Sequence, residues 1–171
     1  MSEDTAPGTD DVAGSEFEWV WKDPSHLEAH RHEFYVSPDE ILELLRPLVA
    51  PPAESGASLH KHYALDRIVG ESGLRRVAPD GSDSFWAYRL GRQIPSHLCL
   101  GERVATNHVC LWGTWHGRTF VIHTLYPGTR APREIHDPEL ALADISTSIE
   151  FWRTHAIVVT ERDYSTLPNR V

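Results

Sequence analysis

A chain of 171 residues is long enough for one domain with a proper core and short for two. With 40% hydrophobic residues and six tryptophans it reads as a folded globule, which excludes a disordered protein, and no run of about 18 apolar residues offers a membrane span. The net charge of −9 excludes a nucleic-acid partner only until its distribution is followed: residues 1–18 hold six acids and no base, whereas residues 59–134 hold ten Lys or Arg against six Asp or Glu.

In chain order, residues 1–15 are small, acidic and aperiodic. They are expected to form a disordered, dispensable tail ahead of a single domain over 16–171. "EFEWVW" (16–21) alternates and suits a short strand. "SPDEILELLRPLV" (37–49) predicts a helix: Ser37 caps it, Pro38 takes N1, Glu40 closes a capping box, and Ile41, Leu44, Leu45 and Leu48 form the apolar stripe. Residues 59–78 fit either a helix or a strand followed by a turn at Gly70–Gly73. "PDGSDS" (79–84) is a loop, and the segments around 84–91 and 94–104 are strand-like. "NHVCLWGTWHGRTFVIHTLYP" (107–127) predicts a β-hairpin turning at Trp115–Gly117. Residues 137–155 predict a second helix, with Asp137 as N-cap, Pro138 at N1 and Leu142, Ile145, Ile149 and Trp152 in its stripe. "AIVVTE" (156–161) reads as the last strand. The fold class is α+β, a single domain with a mostly antiparallel sheet and two main helices packed on it.

Three groups of residues carry chemistry. The pairs His30/His32 and His60/His62 would each share a face if placed on strands, as two metal ligands can, but no further ligand stands at a fixed offset. No metal and no cofactor is therefore expected. The segment 59–67 crowds His60, Lys61, His62 and Arg67, which suits a phosphate and an imidazole acid/base; it suits equally an exposed segment paired locally by Asp66. On the hairpin's second arm, period 2 puts Phe120, Ile122, Thr124 and Tyr126 on one face and Val121, His123 and Leu125 on the other. Thr124 and Tyr126 are thus neighbours at a strand end, followed by Arg130 and Arg133 in "PGTRAPRE" (127–134). Trp86, Trp112 and Trp115 serve as base-stacking rings or as ordinary packing. Cys99 and Cys110 form no motif and read as buried small hydrophobes, which makes a reducing cytoplasm the simplest location. The N-terminus lacks the apolar stretch of a signal peptide.

Lys61-His62, Ser84-Phe85 and the strand-final Thr124-Leu125-Tyr126-Pro127 together resemble the bacterial RNase A-like toxin domains found at the C-termini of contact-dependent inhibition proteins. The resemblance covers roughly residues 59–128. It departs at Leu125, where the family has alanine, and at Gly73, where the family has its arginine; Arg67, Arg75 and Arg76 stand nearby. It implies metal-independent cleavage of an RNA phosphodiester with His62, Arg67, Thr124 and Tyr126 as catalytic residues and Lys61, Arg75 and Arg130 as substrate-binding residues. Two other readings stand beside it: a metabolic enzyme for a phosphorylated or carboxylated small molecule, and a non-catalytic module that meets a protein partner through its acidic tail. The expected ligand is RNA or another anionic substrate, with no membrane involved.

Overall fold

The structure is a computed structural model in which residues 16–168 are described; the tail expected over residues 1–15 lies outside them. The elements run β1 (Glu18–Trp21), α1 (Pro24–His30), α2 (Pro38–Leu45), β2 (Ser58–Ala64), β3 (Gly70–Ser72), β4 (Leu74–Arg76), β5 (Phe85–Arg89), β6 (Pro95–Leu100), β7 (Val104–Thr106), β8 (His108–His116), β9 (Thr119–Pro127), α3 (Ile145–Thr154), β10 (His155–Val159) and β11 (Tyr164–Ser165). The α+β class is as expected, and the strands divide into two larger sheets and a ribbon. The first sheet has the order β1-β9-β8-β2, the second β11-β5-β6-β10-β4, and β3 pairs with β7. All pairs are antiparallel except β1 with β9 and β6 with β10. No helix among the described residues is long and apolar enough to cross a membrane.

The ambiguous stretch 59–78 resolves as strands. β2 lies antiparallel on β8 over its whole length, and the turn after it leads into β3 and β4. In α2 the Ser37 hydroxyl accepts the Glu40 N–H at 3.2 Å, and Ile41, Leu42 and Leu45 go down into the core. Burying side chains of this size stabilises the fold by about 1.5–3 kcal/mol each. They meet Val109, Leu111, Phe120, Ile122 and Leu125, which make the centre of one face of the first sheet apolar.

The second predicted helix is shorter than its sequence pattern. Asp137 caps only a turn, accepting the Glu139 N–H at 2.9 Å, and α3 begins at Ile145. Leu142, the first residue of the predicted apolar stripe, is 88% exposed, so it packs on nothing, and short helices depend on such packing. The end of α3 is tied to the second sheet by buried His97. Its Nδ1 donates to the Trp152 and His155 carbonyls at 2.6 and 2.9 Å, leaving Nε2 to accept from the Ser84 hydroxyl at 2.8 Å.

One irregularity decides where the hairpin's polar residues point. Trp112 pairs with Thr124 and Gly113 pairs with Ile122, which leaves His123 as an extra residue in β9. This β-bulge corrects the simple alternation. Phe120, Ile122 and Leu125 all face the core, whereas Thr124 and Tyr126 face the other way. His123, expected opposite Thr124, comes to the same side, with Nε2 3.2 Å from the Thr114 hydroxyl and its ring 4.8 Å from that of Trp112. Gly113 makes room for the bulge, because a Cβ there would collide with the Phe120 ring and the Val121 carbonyl.

Candidate active site

The outer face of the first sheet carries two cross-strand rows. His60, Trp112 and Thr124 stand in one, and His62, Cys110 and Tyr126 in the next. The second sheet and α1 come up against the β9 end of these rows and enclose a cavity of about 360 Å³. Thr124 and Tyr126 line it together, as their neighbourhood in the sequence requires. The groups facing them are His30 and Glu33 from α1 and the turn after it, Arg89 from β5, and Arg103 from the link between β6 and β7.

His30, Glu33 and Arg103 form one charge network, and Arg89 belongs to a second with Glu134 and Arg92. Glu33 accepts from Arg103 Nη1 at 2.7 Å on one oxygen and meets His30 Nδ1 at 3.1 Å on the other. Burial raises the Glu33 carboxyl, but the His30 hydrogen bond and the Arg103 charge together hold it below its ordinary value. An ionised carboxylate only accepts, so His30 Nδ1 carries a hydrogen, and whenever the ring is neutral its lone pair sits on Nε2. The His30 ring lies 5.8 Å from that of Tyr126. In the second network, Glu134 is buried and one of its oxygens accepts from Arg89 at 3.0 Å and Arg92 at 2.6 Å. Arg89 also reaches the buried Ser96 hydroxyl at 3.2 Å. Burial, reinforced by Arg92, lowers the Arg89 value despite the opposing Glu134 charge, yet a guanidinium keeps its proton at any ordinary pH.

Tyr126 is held as a donor. Burial first, and then the Cys110 thiol beside it, push its phenol far above the usual tyrosine range, with Arg130 opposing. Together the cavity offers two guanidiniums, a phenol, hydroxyls and an imidazole with a free lone pair, an array fit for an anion that reacts by proton transfer.

The residues expected from the sequence are distributed unevenly around this cavity. His62 lies on the same face as Tyr126, separated by Cys110, a Cα separation of about 10 Å across two strand spacings. It does not line the cavity: its Nδ1 accepts the Arg130 backbone N–H at 3.3 Å. Burial, followed by the charges of His108, Lys61 and Arg130, lowers its pKa. Arg130 also donates from its guanidinium to the His60 carbonyl at 3.3 Å. Lys61 points to the opposite face, its ammonium 5.2 Å from the centre of the Tyr63 ring. Arg67 pairs with Glu40 of α2, and Arg75 donates to the Leu100 carbonyl at 3.3 Å on the second sheet, so neither is brought to the cavity. His30 and His32 lie on α1 and the turn after it instead of on a strand. Among the described residues no group of three His, Cys, Asp or Glu side chains is placed to hold a metal ion.

Glu33, Arg89 and Arg103 were missed by the sequence reading, and His30 was singled out only as a partner of His32 in metal binding. His30 and Glu33 had a local signal, His and Glu three residues apart and hence on one helical face. The arginines had none, since 70 residues separate Arg103 from Glu33. In comparisons with known proteins, the chain matches no family model, no curated protein and no solved structure.

Proposed function

We propose that this protein is a metal-independent ribonuclease that cleaves an RNA phosphodiester in the cavity between its two sheets. The observation that carries the reading is the convergence of Arg89, Arg103, Thr124 and Tyr126 on one cavity with the His30–Glu33 pair. His30 Nε2 takes the proton of the ribose 2′-hydroxyl as its oxygen attacks phosphorus. Glu33 stabilises the imidazolium that results. Arg89 and Arg103 hold the phosphoryl oxygens as charge builds on them, and Thr124 and Tyr126 donate hydrogen bonds. The 5′ oxygen leaves with a proton from water. His62, two strand spacings from Tyr126, and its neighbour Arg130 serve the flanking part of the chain, whereas the resemblance to RNase A-like toxin domains implies His62 as the catalytic histidine. Cys99 and Cys110 are both free and buried, which fits the reducing cytoplasm as its place of action.

The test is incubation with total RNA, with and without a chelator. Cleavage that the chelator leaves intact, with 2′,3′-cyclic phosphate ends among the products, is the expected result. Cleavage abolished by the chelator overturns the mechanism. No cleavage, together with a phosphorylated small molecule retained in native mass spectrometry, transfers the cavity to a metabolic enzyme. His62→Ala alongside His30→Ala shows which imidazole is the base.

A further inference from the structure

Trp112 occupies an unusual place. It sits on β8, between β9 and β2, so its strand is an interior one. Yet its side is the outer face of the sheet, and the residue is 42% exposed. Trp115 and Trp152 are buried. Trp86, 44% exposed on the second sheet, also has two imidazoles beside it, His97 stacked at 4.9 Å and 15° and His136 edge-on at 5.4 Å. Trp112 differs in standing in the row that ends at the cavity, flanked by His60 at 5.9 Å and His123 at 4.8 Å, tilted by 36° and 38°. The three rings make an aromatic row on an open sheet face. The bulge in β9 creates half of it, since without the extra residue His123 would point to the core side.

The row leads to the cavity. Trp112 pairs directly with Thr124, which lines it, so their Cβ atoms are about 5 Å apart. Cations stand at both ends: the Arg130 guanidinium bonds the His60 carbonyl, and the Lys22 backbone N–H donates to the carbonyl of Ile122, the neighbour of His123, at 2.9 Å.

We infer that Trp112, flanked by His60 and His123, is a stacking subsite for an unpaired nucleobase of the RNA whose phosphate occupies the cavity. A flat, exposed π-face takes any base, and Arg130 and Lys22 accompany the backbone on either side. The subsite selects single strands, because a duplex keeps its base faces stacked on one another. It rests on the ribonuclease reading of the cavity and adds what that reading leaves open, the part of the substrate gripped beside the scissile phosphate.

Three probes separate the two ideas: inorganic phosphate, a short single-stranded oligodeoxynucleotide that lacks the 2′-hydroxyl and cannot be cleaved, and its abasic counterpart. Binding of each is measured by calorimetry at fixed, low salt. The base-bearing oligomer is expected to bind roughly ten-fold tighter than the abasic one, the size of one base–aromatic stack. Trp112→Leu should erase that difference and leave phosphate affinity unchanged, whereas Trp112→Phe should keep most of it. Equal affinity of the two oligomers, with phosphate still bound, overturns the subsite and leaves the cavity standing. A preference for bases that survives Trp112→Leu and disappears in Trp86→Ala also overturns it, by placing the stack elsewhere. Failure of phosphate and both oligomers to bind removes the cavity reading and the subsite together. Even if Trp112→Leu folds poorly, equal affinities on the unmodified protein, or a preference lost in Trp86→Ala, overturn the subsite.

Discussion

His30 is placed and chemically defined by the same contact. Glu33 Oε2 holds its Nδ1 at 3.1 Å, which orients the ring and assigns the proton-accepting role to Nε2. His30→Gln is therefore expected to lower RNA cleavage by about 10²–10⁴-fold without changing the melting temperature appreciably. Glu33→Gln should reduce the rate less and alter the pH profile, because the imidazole survives while its tautomer is no longer fixed. Tyr126→Phe removes one hydrogen bond and should cost about ten-fold, in line with about 0.5–1.5 kcal/mol for such a bond. Steady-state rates of the three variants on one RNA substrate check the ranking. A Tyr126→Phe loss as large as that of His30→Gln would assign the proton transfer to the phenol.

Among the elements, the bulge in β9 does the most to position the site. It turns Thr124 and Tyr126 away from Phe120 and Ile122, and it depends on the missing side chain at Gly113. Gly113→Ala should destabilise the protein by about 1–3 kcal/mol, the usual cost of overpacking, and urea unfolding measures it. Wild-type stability in that variant would show that the Phe120 ring can move aside. This element also marks how far the sequence could be read. The hairpin, the Ser37 cap and the neighbourhood of Thr124 and Tyr126 were legible, since each arises from local periodicity or capping. The hairpin turns at Gly117-Arg118, however, and not at Trp115–Gly117, because Trp115 and His116 still pair with Phe120 and Thr119. The bulge was not, because one extra residue in a strand leaves the alternation intact on either side and shows only against a partner strand. Asp-Pro gives a similar lesson. At Asp23-Pro24 it starts α1, the Asp23 side chain accepting from Ser25 N–H at 2.9 Å; at Asp137-Pro138 it makes a turn only. The local signal is the same, but the tertiary surroundings differ. α1 lies against β9, which receives the His26 side chain at the His123 carbonyl, 2.9 Å away, whereas Leu142 faces solvent.

Across the whole molecule, the acidic sequence conceals a histidine-rich, cation-bearing sheet face, and that arrangement ties stability to pH. His60, His62 and His123 all titrate below their ordinary value of 6.5. Burial is the first cause in each. The neighbouring charges come next: Arg130 at His60; His108, Lys61 and Arg130 at His62; Lys22, His26 and His116 at His123. In the unfolded chain these imidazoles take up protons near 6.5, and in the folded chain only at lower pH. The unfolded state therefore binds more protons throughout that window, and stability rises with pH across it. The contribution is fully present above 6.5 and is lost as pH falls through the folded values; at lower pH the depressed Glu33 carboxyl adds a loss of the same sign. The urea midpoint is expected to drop between about pH 7.5 and about pH 5.5. Replacing His60, His62 and His123 together by glutamine should flatten the curve over that range. Added salt should weaken the part that comes from Lys22 and Arg130, since exposed charges are screened, and leave the part due to burial. A midpoint that rises on acidification would mean that these imidazoles find anionic partners in the folded protein, contrary to the cation-flanked face on which the stacking subsite depends.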